Sequence, residues 1–199
     1  MRPGQAALNL ATVRARYRRP FPTSFYDRPT AAVAKELLGA WLVAPRGRGF
    51  RVARIVETEA YLGDDPASHS FRGRTERNRS MFGPPGTLYV FRIHQVYCAN
   101  AVTRPGQAVL LRAAESLDEG PESLSGPGRL ARGFEFSLSD DGGSLITGRV
   151  RIVEGDSRPP AVTRTPRVGI SRATERRLRF SWRGHPAVSS PRPWARGTD

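Results

Sequence analysis

The pattern of hydrophobic and polar positions predicts a chain built mainly of β-strands. Runs of β-branched and aromatic residues with period-two alternation predict strands at 41–45 and 50–63, joined by the Arg/Gly turn at 46–49. The same pattern predicts further strands at 87–93, 96–102, 107–115, 166–171 and 177–182.

Helices and one long loop interrupt these strands. The Ala/Leu run at 29–38, which ends at Gly39, predicts a helix, and a second short helix is expected at the start of 129–138. Residues 64–86 are rich in Gly, Pro, Arg and Ser, and a loop of this length inside a small domain is usually functional or disordered.

These elements and the length of 199 residues predict one domain with ragged ends. We expect a single mixed α+β domain over residues 21–190, with a curved, largely antiparallel β-sheet flanked by helices. Residues 1–20 are predicted to form a basic, flexible arm. Residues 191–199 are predicted to form a loose tail.

The charge of the chain points to a polyanionic partner. The sequence holds 32 basic and 18 acidic residues, for a net charge of +14, and its pI is about 11.4. Such an excess favours nucleic acid binding. All the basic residues except Lys35 are arginines. A GC-rich genome would produce the same preference for arginine, so the prediction rests on the net charge and not on the choice of residue.

The composition of the chain also excludes several classes of protein. The single cysteine, Cys98, cannot form an internal disulfide, and with three histidines no Cys/His cluster has zinc spacing. We expect no metal and no cofactor. The sequence shows neither a signal-length apolar segment nor a run long enough to span a membrane, which predicts a soluble, cytoplasmic protein with no membrane partner.

The strand at 50–63 carries two carboxylates. An extended backbone places Glu57, Glu59 and Tyr61 on one face together with Ile55. A carboxylate held ionised beside an apolar stretch can act as a general base on water. The alternative is a solvated strand edge that carries acidic residues.

The long loop and the hairpin that follows it carry candidate binding residues. His69 is accompanied by four arginines that can bind phosphates, Arg72, Arg74, Arg77 and Arg79. His94 lies at the predicted hairpin tip, where a protruding side chain can wedge into a duplex step. The alternatives are a structural or exposed histidine for His69, a solvated loop for the arginines and an ordinary polar turn for His94.

Arg112 lies inside the apolar run "AVLLRAA". A guanidinium there needs a carboxylate or an ordered water as partner, and Glu59 is the natural candidate. A purely structural ion pair is the alternative.

With these residues identified, the chain resembles a known family. The segments "RIVETEAYLG", "RNRSMFGPPGTLYVF", "CAN", "AVLLRAAE", "SGPGRLA" and "RVGIS" are similar, in order and spacing, to the alkyladenine (3-methyladenine) DNA glycosylase family. The resemblance runs from about residue 22 to about residue 185. Because several separate segments agree, it is far more specific than a single motif.

This resemblance implies an enzyme that flips a damaged purine out of duplex DNA and hydrolyses its N-glycosidic bond, leaving an abasic site. It implies that Glu59 is the general base and Arg112 its partner. It implies that Tyr61, His69 and Phe91 stack on the flipped base and that Asn100 excludes guanine. It also implies that His94 fills the gap that the flipped nucleotide leaves in the duplex. The implied partner is double-stranded DNA with damaged purines, bound by a monomer.

The chain departs from the family pattern at the hairpin. His94 stands where the family commonly has tyrosine, and the segment from His94 to Asn100 is one residue shorter than usual. Residues 116–125 are also short where relatives often carry a longer basic segment.

The sequence itself adds one further expectation. A glycosylase that also nicks the backbone needs an amine nucleophile, and the sole lysine, Lys35, lies in a predicted helix far in sequence from every motif. The sequence therefore predicts a monofunctional enzyme without lyase activity.

Two other functions stay open. A non-catalytic nucleic-acid-binding protein that retains the fold would have no reason to place Glu59, Tyr61 and Arg112 together. A metal-dependent nuclease that uses Glu57 and Glu59 as ligands is disfavoured, because it usually needs further carboxylates close by.

Overall fold

The computed structural model describes residues 9–93, 95–118, 123–159 and 161–190. Within these ranges eight strands form one antiparallel sheet, which curls into a half-barrel. The strands are β1 (Trp41–Arg46), β2 (Gly49–Tyr61), β3 (Leu88–Ile93), β4 (Val96–Arg104), β5 (Gln107–Ser116), β6 (Arg151–Val153), β7 (Val162–Thr165) and β8 (Arg179–Trp182).

Strand β2 lies at the centre of this sheet. The strand order is β3-β4-β5-β2-β1-β6, and β8 pairs with the second half of β2 where β1 has ended, with β7 beyond it. The strands predicted around both hairpins are confirmed. The second half of β2 therefore has a paired strand on each side, and its residues 57–60 are fully buried.

Short helices flank the sheet on both faces. They are α1 (Leu10–Tyr17), α2 (Thr23–Tyr26), α3 (Thr30–Glu36) and α4 (Pro127–Gly133), with 3-10 turns at Glu76–Phe82 and Leu138–Asp140. Both predicted helices are confirmed as α3 and α4. Helix α3 buries Val33 and Ala34 in the main core. The chain turns sharply after α3 at Gly39, whose φ of +92° and contact with the Ser157 carbonyl leave no room for a side chain.

Helix α1 differs from the arm predicted for residues 1–20. Asn9 caps this helix by accepting a hydrogen bond from the amide of Ala11. Val13 is buried against Trp41 and Val153 in a second core cluster. A helix with a single buried residue has almost no hydrophobic period, so the sequence pattern did not reveal it.

The strand predicted at 166–171 is also wrong. The chain pairs as a strand earlier, in β7, and then runs irregularly past the sheet. In this irregular stretch the amide of Val168 and the guanidinium of Arg167 bind carboxylates instead of a neighbouring strand. Among the described residues no helix is long and apolar enough to cross a membrane, and the predicted tail at 191–199 lies outside them.

Candidate active site

Two bulges aim the carboxylates of β2 away from the main core. The pairing of β2 with β5 shifts at Val56 and shifts back at Arg112, so each strand carries one extra residue. Ile55 therefore packs in the main core, whereas Glu57 and Glu59 face the other side. The expectation that Ile55 shares their face is wrong, because strict alternation assumes an unbroken strand.

Four strands present one transverse row of side chains on the face opposite the main core. Tyr89 of β3 pairs with Asn100 of β4, Asn100 pairs with Leu110 of β5, and Leu110 pairs with Glu59 of β2. Arg179 of β8 pairs with Glu59 and extends the row. The strands thus bring together residues that are far apart in sequence.

A cavity of about 590 Å³ lies over this row. Its lining includes the predicted residues Tyr61, His69, Phe91, Asn100 and Arg112. A volume of this size is typical of small-molecule sites. The structure therefore unites these five predicted residues in one wall.

Glu59 lies directly behind this wall, with no exposed surface, and contacts the lining residues Tyr61, Val168 and Arg112. Its Oε1 accepts a hydrogen bond from the amide of Val168 at 2.9 Å, and its Oε2 accepts one from the hydroxyl of Tyr61 at 3.0 Å. Burial raises the pKa of Glu59, whereas the charge of Arg112 and these two hydrogen bonds lower it in part. A carboxylate accepts about four hydrogen bonds, so Glu59 retains capacity for a water molecule.

Arg112 bridges the two carboxylates of β2. Its Nη1 lies 3.6 Å from Oε1 of Glu59, and its Nε lies 3.0 Å from Oε1 of Glu57. The predicted partnership with Glu59 is present, but Glu57 is the nearer partner. Because Glu57 and Glu59 are both fully buried, the solvated strand edge is excluded.

His69 is held by aromatic neighbours at the cavity. Its Nδ1 lies 2.9 Å from the hydroxyl of Tyr89, and its ring meets Phe91 edge to face at 4.4 Å between centroids. Burial, together with the charge of Arg77, lowers the pKa of His69. The imidazole is therefore neutral at neutral pH.

Asn100 is oriented by the backbone of the neighbouring strand. Its Nδ2 donates a hydrogen bond to the carbonyl of Tyr89 at 3.0 Å. The side chain is buried and lines the cavity, so a ligand meets an amide of fixed orientation.

The predicted phosphate-binding arginines are solvent-exposed. They are Arg72, Arg74, Arg77 and Arg79. Arg77 reaches the carbonyl of Arg92 near the end of β3, so part of this group lies beside the hairpin. His94 lies outside the described residues, but the residues on either side of the tip, Ile93 and Val96, are 45% and 37% exposed.

Sequence reasoning missed several residues that support the site. Arg167 forms a fully buried ion pair with Asp65 and lies over the ring of Tyr61 at 4.5 Å. Arg179 and Ser189 bind Glu57. The segments that contain Arg167 and Arg179 were read as strands, and charged residues inside strand-like runs were the available signal.

The chemistry of the site defines a class of protein. A buried, ion-paired carboxylate beside an aromatic cavity can activate water against a flat ligand. On a chain of net charge +14, such a ligand is best explained as part of a polyanion. These features are those of a hydrolase that acts on nucleic acid.

Comparison with known proteins identifies the family. Residues 24–186 match the sequence model of methylpurine-DNA glycosylase. The chain belongs to the methylpurine-DNA glycosylase family, whose members are DNA glycosylases of DNA repair.

Curated relatives agree over nearly their whole length. A protein of Methanoculleus marisnigri named "Putative 3-methyladenine DNA glycosylase" is 43% identical over 189 residues, 84% of this chain and 97% of that protein. Proteins of the same name from Anaeromyxobacter dehalogenans and Agrobacterium fabrum are 47% and 40% identical, covering 87% and 84% of this chain and 87% and 91% of their own.

Proposed function

We propose that this protein excises alkylated and deaminated purines, 3-methyladenine and hypoxanthine among them, from duplex DNA and leaves an abasic site. The observation that carries the proposal is the position of Glu59, a buried carboxylate directly behind the wall of an aromatic cavity, where it accepts a hydrogen bond from the lining residue Tyr61. The names of the relatives support 3-methyladenine as a substrate.

Glu59 is proposed as the general base. Loss of the purine leaves an oxocarbenium-like sugar, which a nearby carboxylate stabilises while it accepts a proton from the attacking water. The charge of Arg112 favours the ionised form of this carboxylate, because it lowers the pKa of Glu59 against the raising effect of burial. The proton of the water goes to Glu59, and the purine leaves with the electrons of its glycosidic bond.

The flipped base is proposed to stack among Tyr61, His69 and Phe91. Alkylated purines carry delocalised positive charge, which aromatic faces attract. Since the pKa of His69 is lowered, its neutral ring does not repel such a cation. Asn100 is proposed to exclude guanine, because its fixed amide leaves no space for the exocyclic amino group.

Contact with DNA is proposed for the exposed arginine loop and the hairpin tip. Arg72, Arg74, Arg77 and Arg79 would bind phosphates. His94, between the exposed apolar residues Ile93 and Val96, would fill the space that the flipped nucleotide leaves. We propose that a monomer carries all these contacts.

We propose that the enzyme has no lyase activity. Lys35 lies on α3, and α3 packs on the core face of β2, where Thr58 donates a hydrogen bond to the carbonyl of Ala34. The cavity lies on the other face. Cys98 lines the cavity, but burial raises the pKa of its thiol to about 11, so the thiol stays protonated. A borohydride-trapped adduct that disappears in Lys35→Arg would contradict this proposal.

Substitution Glu59→Gln tests the proposed function. The variant keeps the shape of the side chain but cannot accept the proton, so we expect base release to fall by at least about a hundredfold while DNA affinity stays close to that of the wild type. The assay is single-turnover release of 3-methyladenine from methylated duplex DNA at saturating enzyme and fixed salt.

The same assay separates the alternatives. A wild-type protein that binds this DNA but releases no base would be a non-catalytic binder. Full excision by Glu59→Gln would show that another group is the base. A metal-dependent nuclease would cut the backbone, yet Glu57 is already occupied by two arginines, and in the described chain no cluster of His, Cys, Asp and Glu could hold a metal ion.

A further inference from the structure

Glu57 is a second buried carboxylate of the site, and its contacts differ from those of Glu59. Its Oε1 accepts hydrogen bonds from Nε of Arg179 at 2.6 Å and from the hydroxyl of Ser189 at 3.0 Å, and its Oε2 accepts one from the amide of Ser189 at 2.7 Å. Nε of Arg112 is 3.0 Å away. Protein groups thus occupy Glu57, so it is unsuited to act on water.

The charges of this cluster balance only when all its members are counted. Glu57 and Glu59 carry two negative charges, and Arg112 and Arg179 carry two positive charges. Without Arg179, one guanidinium would be shared between two buried carboxylates. An uncompensated buried charge is strongly unfavourable, and a like charge close by makes a carboxylate harder to ionise.

Ser189 connects the two arginines around Glu57. Nε of Arg112 donates a hydrogen bond to its hydroxyl at 3.2 Å, and Nη2 of Arg179 donates one to its carbonyl at 3.0 Å. Ser189 is itself buried. Amide, hydroxyl and carbonyl of one residue therefore fix the carboxylate and both guanidiniums.

We propose that Arg179 and Ser189 hold Glu57 in place as a counter-charge that orients Arg112, an inference that rests on the proposed role of Glu59. Glu57 binds the Nε side of the guanidinium, which leaves the Nη1 side directed at Glu59. Arg179 neutralises Glu57, so that the charge of Arg112 remains available to Glu59. Glu57, Arg179 and Ser189 are positioning residues because they act through Arg112.

The ionisation of Glu59 is the property that this arrangement controls. Burial raises its pKa, the charge of Arg112 lowers it, and the charge of Glu57 raises it. The charged or titratable groups around Glu59 are Glu57 and Tyr61 on β2, Arg112 on β5, Cys98 on β4, Arg179 on β8 and Arg167 beside Tyr61. Among these, the side chains of Glu57 and Arg179 make no direct contact with the carboxylate of Glu59, and a glutamine at position 57 keeps an oxygen that can accept a hydrogen bond from Arg112.

Opposite shifts in the pH profile test the proposal. The measurement is the single-turnover release of 3-methyladenine, whose departure needs no protonation, as a function of pH at saturating enzyme. Arg179→Gln leaves Arg112 shared between Glu57 and Glu59, so the acidic limb of the pH–rate profile is expected to move up by roughly one pH unit. Glu57→Gln removes the like charge, so the limb is expected to move down by roughly one pH unit.

Two further variants serve as controls. Arg179→Lys keeps the charge and should leave the acid limb in place, and Arg164→Gln removes an exposed arginine from β7 and should behave as wild type. Folding of each variant is checked by circular dichroism. If Glu57→Gln does not fold, the comparison of Arg179→Gln with Arg179→Lys decides alone.

The outcomes separate this proposal from the proposed function. A purely structural role would lower the rate of both Gln variants at every pH without moving the limb, and that result would overturn the proposal. Equal shifts in Arg179→Gln and Arg179→Lys would also overturn it. Neither result would affect the role of Glu59, which Glu59→Gln tests separately.

Discussion

Glu59 and Asn100 lie in one row across the sheet, on strands separated only by β5. Leu110 is the residue between them. Neighbouring strands are about 4.8 Å apart, so the backbones of the two residues are separated by roughly 10 Å. A purine and its sugar carbon can be placed between the side chain proposed to select the base and the one proposed to act in cleavage of its bond.

This relationship predicts that selection and cleavage can be separated. Asn100→Ser shortens the side chain and leaves Glu59 untouched, so release of normal guanine should increase by about tenfold, as expected for a relaxed steric filter. Release of 3-methyladenine should change much less. The measurement is liquid chromatography of bases released from undamaged and methylated DNA.

The control for this prediction is Asn100→Ser combined with Glu59→Gln. The double variant should release neither base, because guanine loss still requires the carboxylate. Guanine release that is unchanged in Asn100→Ser would show that Asn100 does not exclude guanine.

The arginine loop predicts a specific salt dependence. Removing two phosphate contacts in Arg72→Gln/Arg74→Gln should lower the slope of log affinity against log salt by about 2. Single-turnover excision at saturating enzyme should stay near wild type, since neither residue lines the cavity. The measurement is fluorescence anisotropy with a labelled duplex over a salt series.

A matched double variant on another turn tests the location of the contacts. Arg46→Gln/Arg48→Gln removes the same charge from exposed positions around the turn between β1 and β2. Its salt slope should stay near that of the wild type. Equal losses in both double variants would show that net charge, and not this loop, governs binding.

The buried ion pair between Asp65 and Arg167 predicts a large stability effect. Both side chains are fully buried, and Arg167 also donates a hydrogen bond to the carbonyl of Ala60. Asp65→Asn leaves a buried guanidinium without its charge partner and should cost about 3 kcal/mol or more. The free energy of unfolding in urea measures this loss.

The neighbouring residue supplies the control. Asp64 pairs with Arg176 at an exposed site, so Asp64→Asn should cost at most about 1 kcal/mol. Equal costs for the two variants would contradict a special role of the buried pair.

The pH dependence of the same variants has a defined sign. Burial raises the pKa of Asp65, but hydrogen bonds from Arg167 and Ala67 lower it more, so the net pKa is lowered. The stability from this carboxylate is therefore present above its ordinary pKa of about 4 and is lost as the pH falls through the lowered value. The difference between wild type and Asp65→Asn should shrink in that acidic range.

The sequence predicted the parts of this fold that follow regular periods. The hairpin strands and α3 obey local alternation and helix signals, so they could be placed before the structure was known. Glu59 and Arg112 were singled out for a related reason, since a charged residue in an apolar run needs a partner.

The remainder depends on irregular backbone and on long-range contacts. The bulges at Val56 and Arg112 have no local signal and reverse the face of every residue beyond them. Ser189 reaches the site through its backbone as well as its side chain. Such a contact leaves no trace in residue type or spacing.

The contacts that complete the carboxylate cluster join distant parts of the chain. Glu57 binds Ser189 across 132 residues, and Glu59 binds the amide of Val168 across 109 residues. Contacts of such separation form late, because the loops they close cost entropy first. Both carboxylates of β2 therefore gain these partners only when the C-terminal segments have docked on the sheet. We expect a chain truncated before Val168 to lack both contacts.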